Sequence, residues 1–213
     1  MITIHHLGVS QSDRIVWLME ELDLPYELRW YDRGADFLAP EEFRALHPVG
    51  TAPIITDGDL VMAESTAIVE YISRRYGQGR LSAEVDDPHY PHYLFWMQFN
   101  NSLQSVLFIK VAFQSAGAEP GADNPMMATT QRREDGLYRA LEERLAESEY
   151  LGGPEFSCAD IMSMFNLTSL EMLGARPIDD SLPHTRAYVE RVSARPAYRK
   201  AMDIAGPAAR RPD

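Results

Sequence analysis

Residues 2–7, Ile-Thr-Ile-His-His-Leu, alternate weakly and carry β-forming side chains, which predicts a first strand that Gly8 breaks. Ser10-Gln11-Ser12-Asp13 then offers helix-starting hydroxyls and an acid. Ile15, Leu18, Met19 and Leu22 recur at helical spacing, so 12–22 reads as an amphipathic helix ended by Asp23-Leu24-Pro25. Alternation resumes over 26–31 as a second strand, and 39–46 reads as a short helix with Pro40 near its start. Strands at 53–56 and 60–62 flank the turn Asp57-Gly58-Asp59, and a helix at 65–76 is stopped by Gly77 and Gly79. The order is βαβαββα within about 77 residues.

The second half has another texture. Pro88 and Pro91 mark a new start, and helical patterns follow at 92–115, 126–147, 158–173, 182–194 and 196–204, with no strand pattern after residue 80. The chain therefore divides into an α/β domain over 1–78 and an all-helical domain over 86–206, joined by a short linker. At the helix near 158, Ser157-x-x-Asp160 has the form of a capping box, an element for folding rather than chemistry.

Composition narrows the function. With 213 residues, 45% apolar and 24% charged, the chain has the make-up of a globular protein. A net charge of −12 repels phosphate backbones, which argues against a nucleic-acid partner. No apolar run approaches the roughly 20 residues needed to cross a bilayer, and Met1-Ile2-Thr3-Ile4 reads as a strand rather than a signal peptide. Cys158 is the single cysteine, so no intramolecular disulfide forms and a cytoplasmic location is expected; this cysteine reads as a small buried hydrophobe. His5 and His6, adjacent on a strand, point to opposite faces, so no metal site is expected there or elsewhere.

The stretch Val49–Tyr71, VGTAPIITDGDLVMAESTAIVEY, carries the chemistry. Pro53 stands where a proline is tolerated, at a strand's first residue, and its bond to Ala52 is of the kind that adopts the cis form cheaply. A cis bond would turn the Ala52 N–H and C=O outward to pair with an extended peptide. Glu64-Ser65 opens the next helix, where N–H groups and the dipole attract a carboxylate and Glu64 can receive an amine. A serine at a helix start is more often a simple cap worth about 1 kcal/mol. Together with the Ala52-Pro53 pair, however, Glu64-Ser65 matches a short peptide with a free amino-acid end, as in glutathione.

This stretch resembles the glutathione-binding segment of the cytosolic glutathione transferases. SQSDRIVWLMEELDLPYE resembles their first helix and second strand, YLGGPEFSCADIMSMFNL their second-domain signature, and RPAYRKAM their last helix. The bacterial and fungal serine-type branch, with Ser-x-Ser-x-Arg in its first helix, looks most similar. The resemblance implies a thioredoxin-like βαβαββα domain followed by an all-helical domain, a homodimer, and glutathione as co-substrate. It implies a glutathione site at Thr51, Ala52, Pro53, Glu64 and Ser65, and a thiolate held at the start of the first helix by Ser10, Ser12 or Gln11, or by backbone N–H groups. The slot used by some serine-type relatives falls on Val9, which cannot donate. The lysine that relatives often carry in a Gly-Lys-x-Pro run, for the carboxylate at glutathione's glycine end, is replaced by Thr51, which offers only a hydroxyl; His47 or Arg14 are candidate substitutes, although Arg14 is expected at the surface of its helix. Phe95, Phe99, Leu103, Leu107 and Phe108 lie on or near one face of the long helix; Leu107 and Phe108 are candidates for an electrophile pocket, against the alternative that such a stripe is core.

The implied activity is conjugation of glutathione to small apolar electrophiles. A glutathione-dependent disulfide or peroxide reductase and a non-catalytic binding protein of the same fold are the alternatives. Lowering a thiol pKa from about 8.5 to about 6.5 raises the thiolate fraction roughly 20-fold at neutral pH. The accompanying loss of nucleophilicity is roughly 8-fold. The net gain of about 3-fold leaves most of the acceleration to positioning of the electrophile.

Overall fold

The computed structural model describes residues 1–115, 124–169 and 175–211. The described residues form two compact units, Met1–Asp87 with Val192–Asp213, and Pro88–Arg191.

In the first unit, β1 (Ile2–Leu7), α1 (Asp13–Glu21), β2 (Tyr26–Tyr31), α2 (Glu41–Arg44), β3 (Ile54–Asp57), β4 (Leu60–Ala63) and α3 (Ser65–Arg75) follow the predicted order. The sheet runs β2-β1-β3-β4. β1 pairs parallel with β2, which requires the α1 crossover, and antiparallel with β3. β3 and β4 form a hairpin whose two-residue loop places Gly58 at φ 60°, a conformation that suits glycine. Leu7, Tyr31, Phe43, Ile54 and Ala63 pack into one core cluster, with Ala52 against it. Gly77 follows the end of α3, and any Cβ there would lie 2.7 Å from the Ser73 carbonyl oxygen.

Two features of this unit differ from the sequence expectation. The helix α8 (Pro196–Ala205), expected to close the helical domain, groups with the first unit. It packs on α1, with Tyr198 edge-on to Trp17 at 4.8 Å and Arg195 donating from Nε and Nη2 to the two Glu21 carboxylate oxygens at 2.7 Å each. α1 is consequently not amphipathic in its surroundings: Asp13 and Arg14 are buried along with Ile15, Val16, Trp17, Leu18 and Met19.

The second unit contains α4 (Tyr90–Ser115), α5 (Pro125–Glu147), α6 (Cys158–Thr168) and most of α7 (Pro183–Ser193). The sequence extended α6 to 173; it ends at Thr168, and 170–173 lie outside the described residues. Ser157 and Asp160 form the expected capping box, and Asp160 is fully buried. Its carboxylate accepts from Ser157 N at 2.8 Å, Leu151 N at 2.9 Å and the Tyr188 hydroxyl at 3.0 Å. Burial pushes its pKa up to about 6, against the pull of these donors. Cys158 is buried. Along α4, Phe99, Leu103 and Leu107 are buried whereas Phe95 and Phe108 are more than half exposed, so the predicted stripe divides.

Candidate active site

Three segments of the first unit carry the candidate residues: the loop from β1 into α1, the turn before β3, and the start of α3. Ala52-Pro53 is a cis peptide. Pairing of β3 with β1 begins at Ile54, so Ala52 and Pro53 lie beyond the ladder; Pro53 is buried, Ala52 half-buried and Thr51 exposed. Glu64 caps α3 with φ 72° and ψ 108°, an unusual conformation for a residue bearing a Cβ, and is exposed.

Ser65, first residue of α3, is buried beside α1. Its hydroxyl accepts from Arg14 Nη1 at 3.3 Å and donates to Gln11 Oε1 at 3.4 Å. Residues 51 and 54 positions apart in sequence thus meet, and Gln11, Arg14 and Ser65 form one polar group. Arg14 is 1% exposed rather than at the surface, because α1 lies among β1, α3 and α8. Burial lowers its pKa to about 10, opposed by the neighbouring Asp13 carboxylate. Burial raises that carboxyl to about 7, opposed by Arg14. Arg14 stays cationic at neutral pH and supplies a fixed positive charge behind Ser65. His47 is not brought to this group; its Nδ1 accepts from Val49 N at 3.2 Å.

The hydroxyls proposed for the thiolate face inward. Ser10 Oγ donates to the Leu7 carbonyl at 2.6 Å, and a carbonyl only accepts. With that proton committed, the 2.7 Å contact between Ser12 and Ser10 uses the Ser12 proton. The 2.8 Å contact between His6 Nδ1 and Ser12 Oγ then uses a proton on the ring. His6, Ser12 and Ser10 are all buried, and His6 Nε2 has no hydrogen-bond partner among the described residues. Burial, aided by Arg33, lowers the His6 pKa to about 4, so the ring is neutral. His5, on the opposite face as expected, contacts the Tyr31 hydroxyl at 3.1 Å.

Arg33 was missed by sequence reasoning. Its Nε donates to the Gly8 carbonyl at 2.7 Å, Nη2 to the Val9 carbonyl at 3.0 Å and Nη1 to the Phe37 carbonyl at 2.8 Å. Val9 sits at φ 52°, a costly conformation for a β-branched residue. No spacing pattern announces an arginine that binds main-chain carbonyls 24 and 25 positions away.

In the second unit, Leu107 is closed into a cluster with Phe165, against Val111 and Ala175, while Phe108 is 54% exposed.

A four-stranded sheet with a cis-proline before its third strand, followed by a helical unit, defines a thioredoxin-like domain joined to an all-α domain. The comparisons agree. The glutathione S-transferase N-terminal domain family matches residues 10–75, and its C-terminal domain family matches residues 106–196. Glutathione S-transferase 3 of Schizosaccharomyces pombe is 32% identical, the alignment covering 95% of this chain and 87% of the fission-yeast protein. Glutathione S-transferase GstB of Escherichia coli is 28% identical, over 96% of this chain and 99% of its own. Among solved structures, a glutathione S-transferase from Actinobacillus pleuropneumoniae superposes with a TM-score of 0.84 at 30% identity, covering 98% and 95% of the two chains. A theta class glutathione S-transferase from Xanthomonas axonopodis pv. citri, solved with glutathione bound, gives 0.70 at 26%, covering 96% and 98%. This chain belongs to the glutathione S-transferase family and is a glutathione transferase.

Proposed function

We propose that the first unit holds glutathione across Thr51, Ala52, Pro53, Glu64 and Ser65 and presents its sulfur to the loop before α1, for conjugation to small apolar electrophiles. The observation that carries this reading is the convergence of Ser65, Gln11 and buried Arg14. A hydroxyl at a helix N-terminus, backed by a fixed cation, suits the α-carboxylate of the γ-glutamyl group. Exposed Glu64 beside it suits the α-amine, and Ala52, outside the sheet ladder, offers its main chain to the peptide. Arg14 is then the positive element at the γ-glutamyl end, a position other than that of the relatives' lysine before Pro53, which serves the glycine-end carboxylate.

With their hydroxyl protons directed inward, Ser10 and Ser12 hold the loop rather than donate to sulfur. Gln11 and the main-chain N–H groups remain as donors. Phe108 offers an exposed apolar ring to an electrophile, whereas Leu107 contributes to the core. For the homodimer, an open groove of about 680 Å³ along α3, lined by Ala67, Glu70, Tyr71, Arg74 and Arg75, is the candidate contact; light scattering of the wild type and Arg75→Glu tests it. A cytoplasmic location fits the single, buried thiol of Cys158.

Calorimetry with glutathione, followed by turnover assays with a haloaromatic electrophile and with a small disulfide, tests the function. Binding with conjugation supports the transferase reading. Binding with disulfide turnover alone makes the chain a reductase, and binding with neither makes it a carrier. Absence of binding removes the proposed site.

A further inference from the structure

The Arg33 guanidinium takes two successive main-chain carbonyls on one edge: Gly8 O at Nε and Val9 O at Nη2. In a trans peptide the carbonyl and the N–H that follows it point in opposite directions. The Gly8–Val9 and Val9–Ser10 bonds are trans, Ala52-Pro53 being the cis bond of the described residues. With both carbonyls aimed at Arg33, the Val9 and Ser10 N–H groups project together from the other side of the loop. No acceptor among the described residues takes either N–H. A left-handed residue between two such peptides produces a main-chain concavity that binds anions, and Val9 at φ 52° is that residue.

We propose that Arg33 is a positioning residue for the glutathione sulfur: by holding the Gly8, Val9 and Phe37 carbonyls it fixes left-handed Val9 and presents the Val9 and Ser10 N–H groups as a paired anion site. The inference rests on the reading that glutathione places its sulfur at this loop. It accounts for three observations together. Valine stands at a slot where a donor side chain was expected, because the donors are main-chain and the side chain is not used. The Ser10 and Ser12 hydroxyl protons face inward, because their bonds brace the loop from beneath. An arginine reaches across the chain to a loop with no regular structure, because without it a β-branched residue has no reason to remain left-handed. The guanidinium also polarises both peptides, so each N–H meets a developing thiolate with more positive character than an ordinary amide, preorganised before the sulfur arrives.

Arg33→Met and Arg33→Lys, compared with wild type, test this. Two quantities are read: the pKa of the bound thiol, from thiolate ultraviolet absorbance against pH, and the affinity for S-methylglutathione, which has no thiol to ionise. Arg33→Met should raise the bound thiol pKa by about one unit, roughly tenfold less thiolate below that pKa, and hold S-methylglutathione affinity within about twofold. Arg33→Lys, a point charge without the bidentate fork, should fall between them. Conjugation by Arg33→Met should be depressed near pH 6.5 and recover toward wild type as pH rises. An unchanged thiol pKa in a folded variant overturns the proposal, and so does parallel loss of thiol pKa shift and S-methylglutathione affinity, which marks a merely structural role. If Arg33→Met does not fold, Arg33→Lys decides by the same two readings. Failure of wild type to bind S-methylglutathione sinks the glutathione-site reading itself, a result distinct from either.

Discussion

Replacing Ser65 by alanine separates a ligand clamp from an ordinary helix cap. In the unliganded protein the hydroxyl makes two long hydrogen bonds, 3.3 Å from Arg14 and 3.4 Å to Gln11, both near the outer limit of useful geometry. Their loss costs about 1 kcal/mol or less each, so the melting temperature should fall by only a few degrees in a chain of this size. Binding a carboxylate is different. The Ser65 proton turns from the neutral Gln11 amide oxygen to a charged acceptor, exchanging a bond worth about 0.5–1 kcal/mol for one worth about 1.5–3. The net, about 1–2 kcal/mol, corresponds to roughly 5- to 30-fold in affinity. Isothermal calorimetry with glutathione should therefore show Ser65→Ala weakened by that factor. An analogue whose γ-glutamyl α-carboxylate is an amide should bind wild type and variant almost equally, because the charge that Ser65 recognises is missing. A folded Ser65→Ala that binds glutathione within twofold of wild type would refute the assignment and leave Ser65 as a cap.

Other changes act on neighbouring features. Glu64→Gly should raise stability by about 1 kcal/mol or less, since glycine tolerates the positive φ of 72° better, yet lower glutathione affinity by loss of the amine contact; denaturant titration and calorimetry read the two opposite signs. Asp160→Ala leaves two main-chain N–H groups and the Tyr188 hydroxyl without their buried acceptor, a loss of about 3 kcal/mol measurable by urea unfolding, which relief of the buried carboxylate offsets only in part. His6 holds a native pKa near 4 against 6.5 when unfolded, chiefly through burial and then Arg33, so its contribution is complete above pH 6.5 and is lost as pH falls toward 4, up to about 3 kcal/mol. Asp160, raised to about 6, has the reverse sign and loses stability as pH rises from 3.8 through 6; Asp13, raised to about 7, does so over a window reaching 7. Subtracting the pH–stability curve of His6→Gln from that of wild type isolates the histidine component, and a flat difference between pH 4 and 6.5 would contradict its buried, neutral state.

Local periodicity determined much of this protein. The alternation of residues 2–7 and 26–31, the Asp57-Gly58-Asp59 turn and the helical spacing of the second half placed the elements within about two residues of their observed ends, apart from the end of α6, read to 173 and observed at Thr168. The turn and helix signals are satisfied by hydrogen bonds between chain neighbours, and the alternation of 26–31 by the deeper burial of one face. Ala52-Pro53, Glu64-Ser65 and the Ser157-x-x-Asp160 box were legible for the same reason: a cis-capable bond, a helix start and a cap are local devices. Tertiary structure alone decided the rest. Arg14 was expected at the surface because a single-faced helix has room for a charge on its outer side, but packing by β1, α3 and α8 leaves α1 no such side, and Arg14 turns to Ser65. The Ser12 hydroxyl meets a histidine of β1, and an arginine after β2 holds the carbonyl of left-handed Val9. The bond from Arg195 to Glu21, which ties α8 to α1, spans 174 positions. Partners so far apart leave no trace in spacing, because burial and hydrogen-bond completion are settled only when the elements meet, and it is there that hydroxyls, carbonyls and N–H groups acquire the directions on which binding depends.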